Sequence, residues 1–469
     1  MTTAINLSIV SHTNIGKTTL TRTLLSRDVG EVADRAHVTV SCDPYTLAKT
    51  ADGAELILWD TPGFGNSVAL AKRLEGRSNP LGWFMSEVWD RAVNKSQWIN
   101  QQALLHVKDT SSVVLYLVNA DQLPDTTPYV TAEMQILEWL EKPVIVLLNQ
   151  LGEPKSAREE NQLVARWKQA LEGFPIVKTV LAMDAFARCW VQEYSLFDAV
   201  GDALPDALKA AFAELKNEWL TGRRAAYDQS TAALSRFMND RVNDTEVVTV
   251  IPLTERLKLF GKSVGLFKSK TPAPDTSDAQ KILSQKADEA FQDLAQELLS
   301  INGLSGTVEP QTLFARMETV WTPRAKVSGA KAGLAGAIGA GAAGGLSADL
   351  AAGGLTFGAG ALIGAVVGAV GAMSAAGIYN KKKNADGAVV TWSDTALTRF
   401  LAQSLLLYLA VAHFGRGRGV WEENEAPAVW QETVMKAMKL HPTERDFMAT
   451  AVRPLTDDIL SQLYPGVKF

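Results

Sequence analysis

Ser11-His12-Thr13-Asn14-Ile15-Gly16-Lys17-Thr18-Thr19 decides the fold. A short β-branched run, Asn6–Val10, precedes it, and a helical stretch, Lys17–Leu25, begins inside it. The pattern G-x-x-x-x-G-K-[ST] is complete here apart from Ser11, which stands at the first glycine. A strand that feeds such a turn aims backbone N–H groups and a helix N-terminus at a phosphate. Gly16 permits the close approach, Lys17 neutralises β and γ phosphates, and the Thr18 hydroxyl holds Mg²⁺. The competing reading is an ordinary N-capped helix.

A second motif decides between them. Forty-three residues after Lys17, the apolar strand Glu55–Trp59 runs into Asp60-Thr61-Pro62-Gly63. A carboxylate at the end of a neighbouring strand is where a water-mediated Mg²⁺ ligand must sit, and Gly63 leaves its amide free to approach a γ-phosphate. Between the motifs, Thr39 lies in a polar stretch and is the first choice for the switch threonine that closes onto Mg²⁺, with Ser41 and Thr46 as nearby alternatives. Lys17, Thr39, Asp60 and Gly63 are therefore the expected catalytic set. Asn14, Ile15, Gly16, Lys17, Thr18 and Thr19 are expected to hold the phosphates.

Outward from this site, apolar runs at Val113–Val118, Val144–Leu148 and Val177–Ala182 alternate with helical stretches at Ala132–Glu141 and Ala157–Leu171. That order predicts an α/β domain over residues 1–204, a mostly parallel sheet with helices on both faces. Trp83–Val107 is an extra helical stretch. From Asp206 to Asn239 and again over Ser277–Leu299 a 3.6-residue period takes over, so residues 205–327 form a helical domain. Residues 385–469 add a C-terminal helical region, with an apolar helix at Leu397–Phe414 and a final amphipathic stretch from Pro427.

Composition narrows the function classes. Lys plus Arg (46) against Asp plus Glu (51) leaves a net charge of −5, so no global positive field favours nucleic acid. Two cysteines, Cys42 and Cys189, make neither a disulfide framework nor a zinc set, and the start MTTAINLSIV lacks the pattern of a signal peptide, so a cytoplasmic origin is expected. The five histidines, His12, His37, His106, His413 and His441, show no ligand spacing.

The residues Asn14 to Thr18, Asp28-Val29-Gly30-Glu31-Val32 with Asp34-Arg35 and Thr39, Asp60 to Gly63, and Asp184-Ala185-Phe186-Ala187-Arg188-Cys189-Trp190 carry a family resemblance. The chain resembles the Era-like branch of the translation-factor-related P-loop GTPases over roughly residues 4–190, and within it a bacterial family with a C-terminal domain of unknown function. The resemblance implies GTP and GDP as ligands, Mg²⁺ held by Thr18, Thr39 and Asp60, and K⁺ beside the phosphates at Asn14. The alternative for Asn14 is a brace that hydrogen-bonds its own loop.

Two positions depart from that pattern. After Gly63, where many regulatory GTPases carry a water-orienting glutamine, stands Phe64, which offers no hydrogen bond. The guanine-reading motif N-K-x-D is replaced by Asn149-Gln150-Leu151-Gly152, in which Asn149 fits and Gly152 supplies no carboxylate. Glu153 is an alternative acceptor, relaxed purine choice is the other reading, and Asp184 or Ala182 marks the last base-contacting loop.

One segment is biased. Of 35 glycines, 15 lie between Gly329 and Gly377, and the runs Ala332–Ala348 and Leu350–Asn380 carry no charge. Glycine costs a water-exposed helix about 1 kcal/mol relative to alanine, whereas small residues let helices approach closely in hydrocarbon. With Arg324, Lys326, Lys331 and Lys381–Lys383 flanking it, residues 328–384 read as a glycine-rich hydrophobic hairpin inserted in a membrane from its cytoplasmic face, Asp349 at the turn. The competing reading packs the hairpin within a soluble domain. The expectation is a Mg²⁺-dependent GTP switch, membrane-associated at the inner face of the cell membrane, with a homodimer or a protein effector as partner. The alternative is a soluble Era-like GTPase acting in ribosome or protein-complex assembly.

Overall fold

In the sequence AINLSIVS, Ala4–Ser11 (β1), Ile5, Leu7 and Ile9 face one side of the sheet and Val10 the other, the two-residue period of a strand covered on both faces. The computed structural model describes residues 3–25, 42–86, 95–122, 124–151, 157–183, 189–247, 277–303, 389–392, 394–413, 428–441 and 444–467. Besides β1, the main sheet comprises Asp43–Lys49 (β2), Glu55–Asp60 (β3), Val113–Asn119 (β4), Val144–Asn149 (β5) and Val177–Ala182 (β6). Their order is β2-β3-β1-β4-β5-β6, and every pairing is parallel except β2 with β3. Because β1 has β3 on one side and β4 on the other, a crevice opens at its carboxyl end, which is where ligands of such sheets bind.

Helices cover both faces. One face carries Ser67–Leu74 (α2), Pro80–Ser86 (α3), Lys95–Thr110 (α4), Pro128–Glu138 (α5) and Ala157–Ala170 (α6), packed through Leu70, Phe84, Leu104, Leu137 and Trp167. The other face carries Lys17–Leu25 (α1) together with parts of Trp190–Ala203 (α7) and Asp206–Asn243 (α8). The expected stretch Trp83–Val107 is thus two helices, α3 and α4, with residues 87–94 outside the described ones.

The strand β2 was not expected. Its exposed positions alternate with half-buried ones, and Pro44 withholds a donor, features of an edge strand that weaken its apolar signal. The stretch from Pro427 resolves into two helices, Ala428–Leu440 and Met448–Leu463, rather than one.

Beyond the sheet lies a second core, helical, built from α8 with Ser277–Ile301 (α9), Asp394–His413 (α10), Ala428–Leu440 (α11) and Met448–Leu463 (α12). A short antiparallel ribbon, Thr245–Val247 (β7) with Val389–Thr391 (β8), closes one end. The segment Ala396–His413 is long and apolar enough to cross a membrane, yet 83% of it is buried inside the protein, so its hydrophobicity is that of a core helix. The glycine-rich hairpin expected at 328–384 lies outside the described residues.

Two helices serve both cores. On α7, Trp190, Val191 and Tyr194 enter the helical core while Leu196, Phe197 and Val200 pack under the sheet. The 38-residue α8, about 57 Å long at 1.5 Å per residue, places Phe212 and Leu215 under the sheet and Leu220, Tyr227, Leu234 and Phe237 in the helical core. Pro205 separates α7 from α8, and Phe212 and Leu215 beyond it still pack under the sheet.

A buried ion pair ties this junction. Arg223 of α8 donates from Nε to Glu193 Oε2 at 3.0 Å and from a terminal nitrogen to the Leu24 carbonyl at 3.0 Å, while Trp219 Nε1 donates to the same Glu193 oxygen at 3.1 Å. The side chain of Glu193 is 1% exposed. Removing one partner of a buried pair strands the other, so Arg223→Ala should cost about 3–5 kcal/mol in urea unfolding, with Arg223→Lys recovering only part because an ammonium cannot reproduce the fork. A loss under about 1 kcal/mol, the range of exposed pairs, would show that the junction does not depend on it.

Candidate phosphate-binding site

The loop between β1 and α1 owes its shape to two left-handed residues. Asn14 has φ 63° and Gly16 φ 96°, and a Cβ at Gly16 would lie 2.7 Å from Asn149 Nδ2. Only glycine fits there. Asn149, at the end of β5, donates from Nδ2 to the Ile15 carbonyl at 2.6 Å, and the Ile15 side chain sits in the sheet core. The loop is therefore held from below by packing and from the side by an amide.

Lys17, the first residue of α1, is buried, and its Nζ donates to Ser11 Oγ at 3.2 Å. Ser11 Oγ in turn donates to the His12 carbonyl at 2.5 Å. The departure at the first glycine position thus adds a hydroxyl that receives the lysine and braces the loop. Burial pushes the Lys17 ammonium below its ordinary pKa, and the charges of Asp60 and Glu133 oppose that shift.

The register places Asp60 of β3 beside Ile9 of β1, which brings the two motifs together. Thr18 Oγ1 donates to Asp60 Oδ2 at 2.6 Å, while the buried Asp60 Oδ1 has no hydrogen-bond partner among the described residues. Burial raises the Asp60 pKa, and the Thr18 bond and Lys17 charge hold it down. A hydroxyl beside an unpartnered, buried carboxylate oxygen is a hard-oxygen donor set that fits Mg²⁺.

Gly63 closes over this arrangement. A Cβ there would lie 2.9 Å from Lys17 Nζ and 3.0 Å from the Thr13 Cα. The next residue, Phe64, is fully buried in the core on the α2 and α5 side, and its N–H donates to the Ser11 carbonyl at 2.9 Å. Phe64 anchors the segment after β3 to the loop and leaves no side chain beside the phosphate site.

Of the sequence-derived residues, Asn14, Ile15, Gly16, Lys17, Thr18, Thr19, Asp60, Gly63 and Asn149 gather at the carboxyl edge of the sheet. Thr39 and Ser41 lie outside the described residues, as do Gly152, Glu153 and Asp184. Thr46 is removed from the alternatives: it pairs with Ile57 within β2, three residues along β3 from Asp60 and so about 10 Å away. A buried cluster escaped the sequence reading altogether. His12 Nδ1 lies 2.8 Å from Glu133 Oε1, and the Tyr116 hydroxyl donates to Glu133 Oε2 at 2.6 Å. Its one linear signal was a glutamate inside the apolar run of α5, between Val130 and Leu137.

Residues 6–150 match the family model described as 50S ribosome-binding GTPase. The N-terminal domain is a P-loop GTPase domain. Residues 322–456 match a domain of unknown function, DUF3482, as the resemblance implied. Solved structures similar to the chain include an Aquifex aeolicus Era variant bound to GDP.AlF4-, at 18% identity over 44% of this chain and 58% of that one, with a TM-score of 0.33. Era in complex with MgGDPNP and a 16S ribosomal RNA fragment matches at 18% identity over the same shares, 44% and 58%, with a TM-score of 0.32. A probable GTP-binding protein engB matches at 18% identity over 42% of this chain and 99% of its own, with a TM-score of 0.29. The chain spans 58% of the length of the two Era structures. No curated protein matches it.

The GTPase domain makes a steric prediction. Gly63→Ala forces its Cβ against the Thr13 backbone and Lys17, so single-turnover phosphate release from GTP should fall by about tenfold, roughly 1.4 kcal/mol of barrier, with the melting temperature little changed. An unchanged rate would mean that this segment does not close on the phosphates.

Proposed function

We propose that the chain is a Mg²⁺-dependent, GTP-binding and GTP-hydrolysing switch whose helical half couples the nucleotide state to a membrane. The observation that carries the nucleotide part is the constellation of buried Lys17, Thr18 and the unpartnered Asp60 oxygen at the carboxyl edge of the sheet. Lys17 sets its charge against the β and γ phosphates, and the loop amides that follow Thr13 meet the same oxygens. Thr18 and Asp60, with Thr39 as the switch residue, would hold Mg²⁺, which supplies charge neutralisation for the leaving phosphate. The Gly63 amide faces the γ-phosphate.

With Phe64 buried, no side chain at that position orients the attacking water, and another group must stabilise the charge that develops between the β and γ phosphates. Asn14 is exposed in a left-handed turn of the phosphate-binding loop, where its carboxamide oxygen would serve as a K⁺ ligand. Asn149 is engaged with the loop through Ile15, so base choice relies on residues beyond it.

The test is phosphate release and fluorescent GTP-analogue binding by the full chain. Lys17→Ala should abolish binding, GTP should outcompete ATP by less than in a protein with an intact N-K-x-D aspartate, and turnover should be faster in KCl than in matched NaCl. ATP bound as tightly as GTP would refute the guanine assignment, and equal rates in both salts would remove K⁺ from the mechanism.

What supports the membrane reading is the charge-free, glycine-spaced segment with its basic flanks. Burial of α10 leaves residues 328–384 as the sequence expected to insert. The full chain should float with vesicles or cell membranes, and a chain lacking residues 328–384 should not. Recovery of both in the soluble fraction would favour the soluble assembly GTPase instead.

A further inference from the structure

Helix α5 reaches the phosphate-binding loop through one polar contact set in an apolar face. Val130, Met134 and Leu137 of that helix lie in the core, and Glu133 is fully buried among them. Its Oε2 accepts from the Tyr116 hydroxyl at 2.6 Å, and its Oε1 lies 2.8 Å from Nδ1 of His12. A carboxylate oxygen accepts, so the His12 tautomer that pairs with it is the one with hydrogen on Nδ1. The His12 ring also lies against Tyr129, with ring centroids 4.6 Å apart. Tyr129 and Glu133 are four residues apart on one face of α5, so the helix grips His12 at two points.

A buried carboxylate is an expensive way to fill a core position, and an apolar residue of similar volume would pack there at no electrostatic cost. Its placement explains it. The Glu133 charge reaches Lys17, where it opposes the effect of burial on the ammonium. His12 is also fixed through its backbone, whose carbonyl accepts from Ser11 Oγ and which bridges to Phe64 in parallel-strand fashion. Loop, α5 and the segment after Gly63 therefore meet at His12. Helix α2, which continues that segment, packs on α5 through Leu70 and Leu74.

We propose that His12 is a positioning residue for GTP hydrolysis, its Nδ1–H bond to Glu133 locking the phosphate-binding loop to α5. It acts through the loop backbone and touches no phosphate. The inference rests on the nucleotide reading above and deepens it. A displacement of about 1 Å at a reacting centre costs on the order of 10²-fold in rate, so a tether of this kind acts on turnover more than on binding.

Three variants of the full chain test it: His12→Ala, His12→Asn and His12→Gln. An asparagine amide places an N–H where Nδ1 sits, whereas a glutamine amide places it nearer the position of Nε2. We expect His12→Ala to lower kcat for GTP by about 10- to 100-fold with KM changed less than threefold, His12→Asn to recover most of the loss, and His12→Gln to recover little. Melting temperatures measured alongside separate misfolding from misplacement, because a merely structural role would move stability for all three and would not discriminate Asn from Gln in kcat. If wild type hydrolyses GTP and His12→Ala matches it, or Asn and Gln behave alike, the positioning role is overturned and the GTPase reading stands. If wild type binds no GTP, both fall.

Discussion

An ammonium buried at the edge of a sheet must find its counter-charges inside the protein, and the architecture of the GTPase domain follows from meeting that demand at Lys17. The side chain is 7% exposed. Ser11 from β1 accepts its hydrogen bond, Asp60 from β3 supplies one negative charge and Glu133 from α5 another. These groups come from separate elements, so the site exists only once β1, β3 and the helix over β4 are assembled. Low dielectric then works in favour of chemistry, since fixed charges act on a phosphate far more strongly there than in water.

The same assembly is tied to the helical half by continuous helices rather than by a linker. Because α7 and α8 each enter two cores, both cores are built on the same two helices. Arg223 adds a direct link from α8 to the carboxyl end of α1, the helix that begins with Lys17. Further along, His413 closes the helical core: its Nδ1 bonds the Leu409 carbonyl, and its Nε2 meets the Tyr464 hydroxyl just beyond α12. Burial pushes the His413 pKa down to about 4, so the ring stays neutral and bridges elements without carrying charge. Shared packing along these helices joins the sheet to the helical unit.

Much of this was legible in the linear chain because its signals are local. The strand β1, the turn at Gly16, the start of α1 at Lys17 and the pairing partner Glu55–Asp60 all announce themselves through short apolar runs and turn residues within a few positions. The helices α8 and α9 follow from the 3.6-residue period, and α10 from its unbroken apolar run. The edge strand β2 was hidden because an edge buries little and Pro44 lowers its propensity. Thr46 became a false alternative for the same reason, since its place in the ladder depends on Ile57.

By itself the sequence determined that a phosphate-binding loop sits between a strand and a helix, that a second motif ends a neighbouring strand, and that an α-helical half follows. Each of these is a property of residues close together in the chain. Tertiary structure alone decided that Phe64 is a core residue anchoring the segment after β3, that Asn149 holds the loop through Ile15, and that His12, Glu133 and Tyr116 form one cluster. It also decided that α10 is a buried core helix although its composition suits a membrane span. Burial and hydrogen-bond partners are set by which faces pack together, and contacts between separate elements, such as His12 with Glu133 or Ile15 with Asn149, leave no period or spacing in the sequence to read.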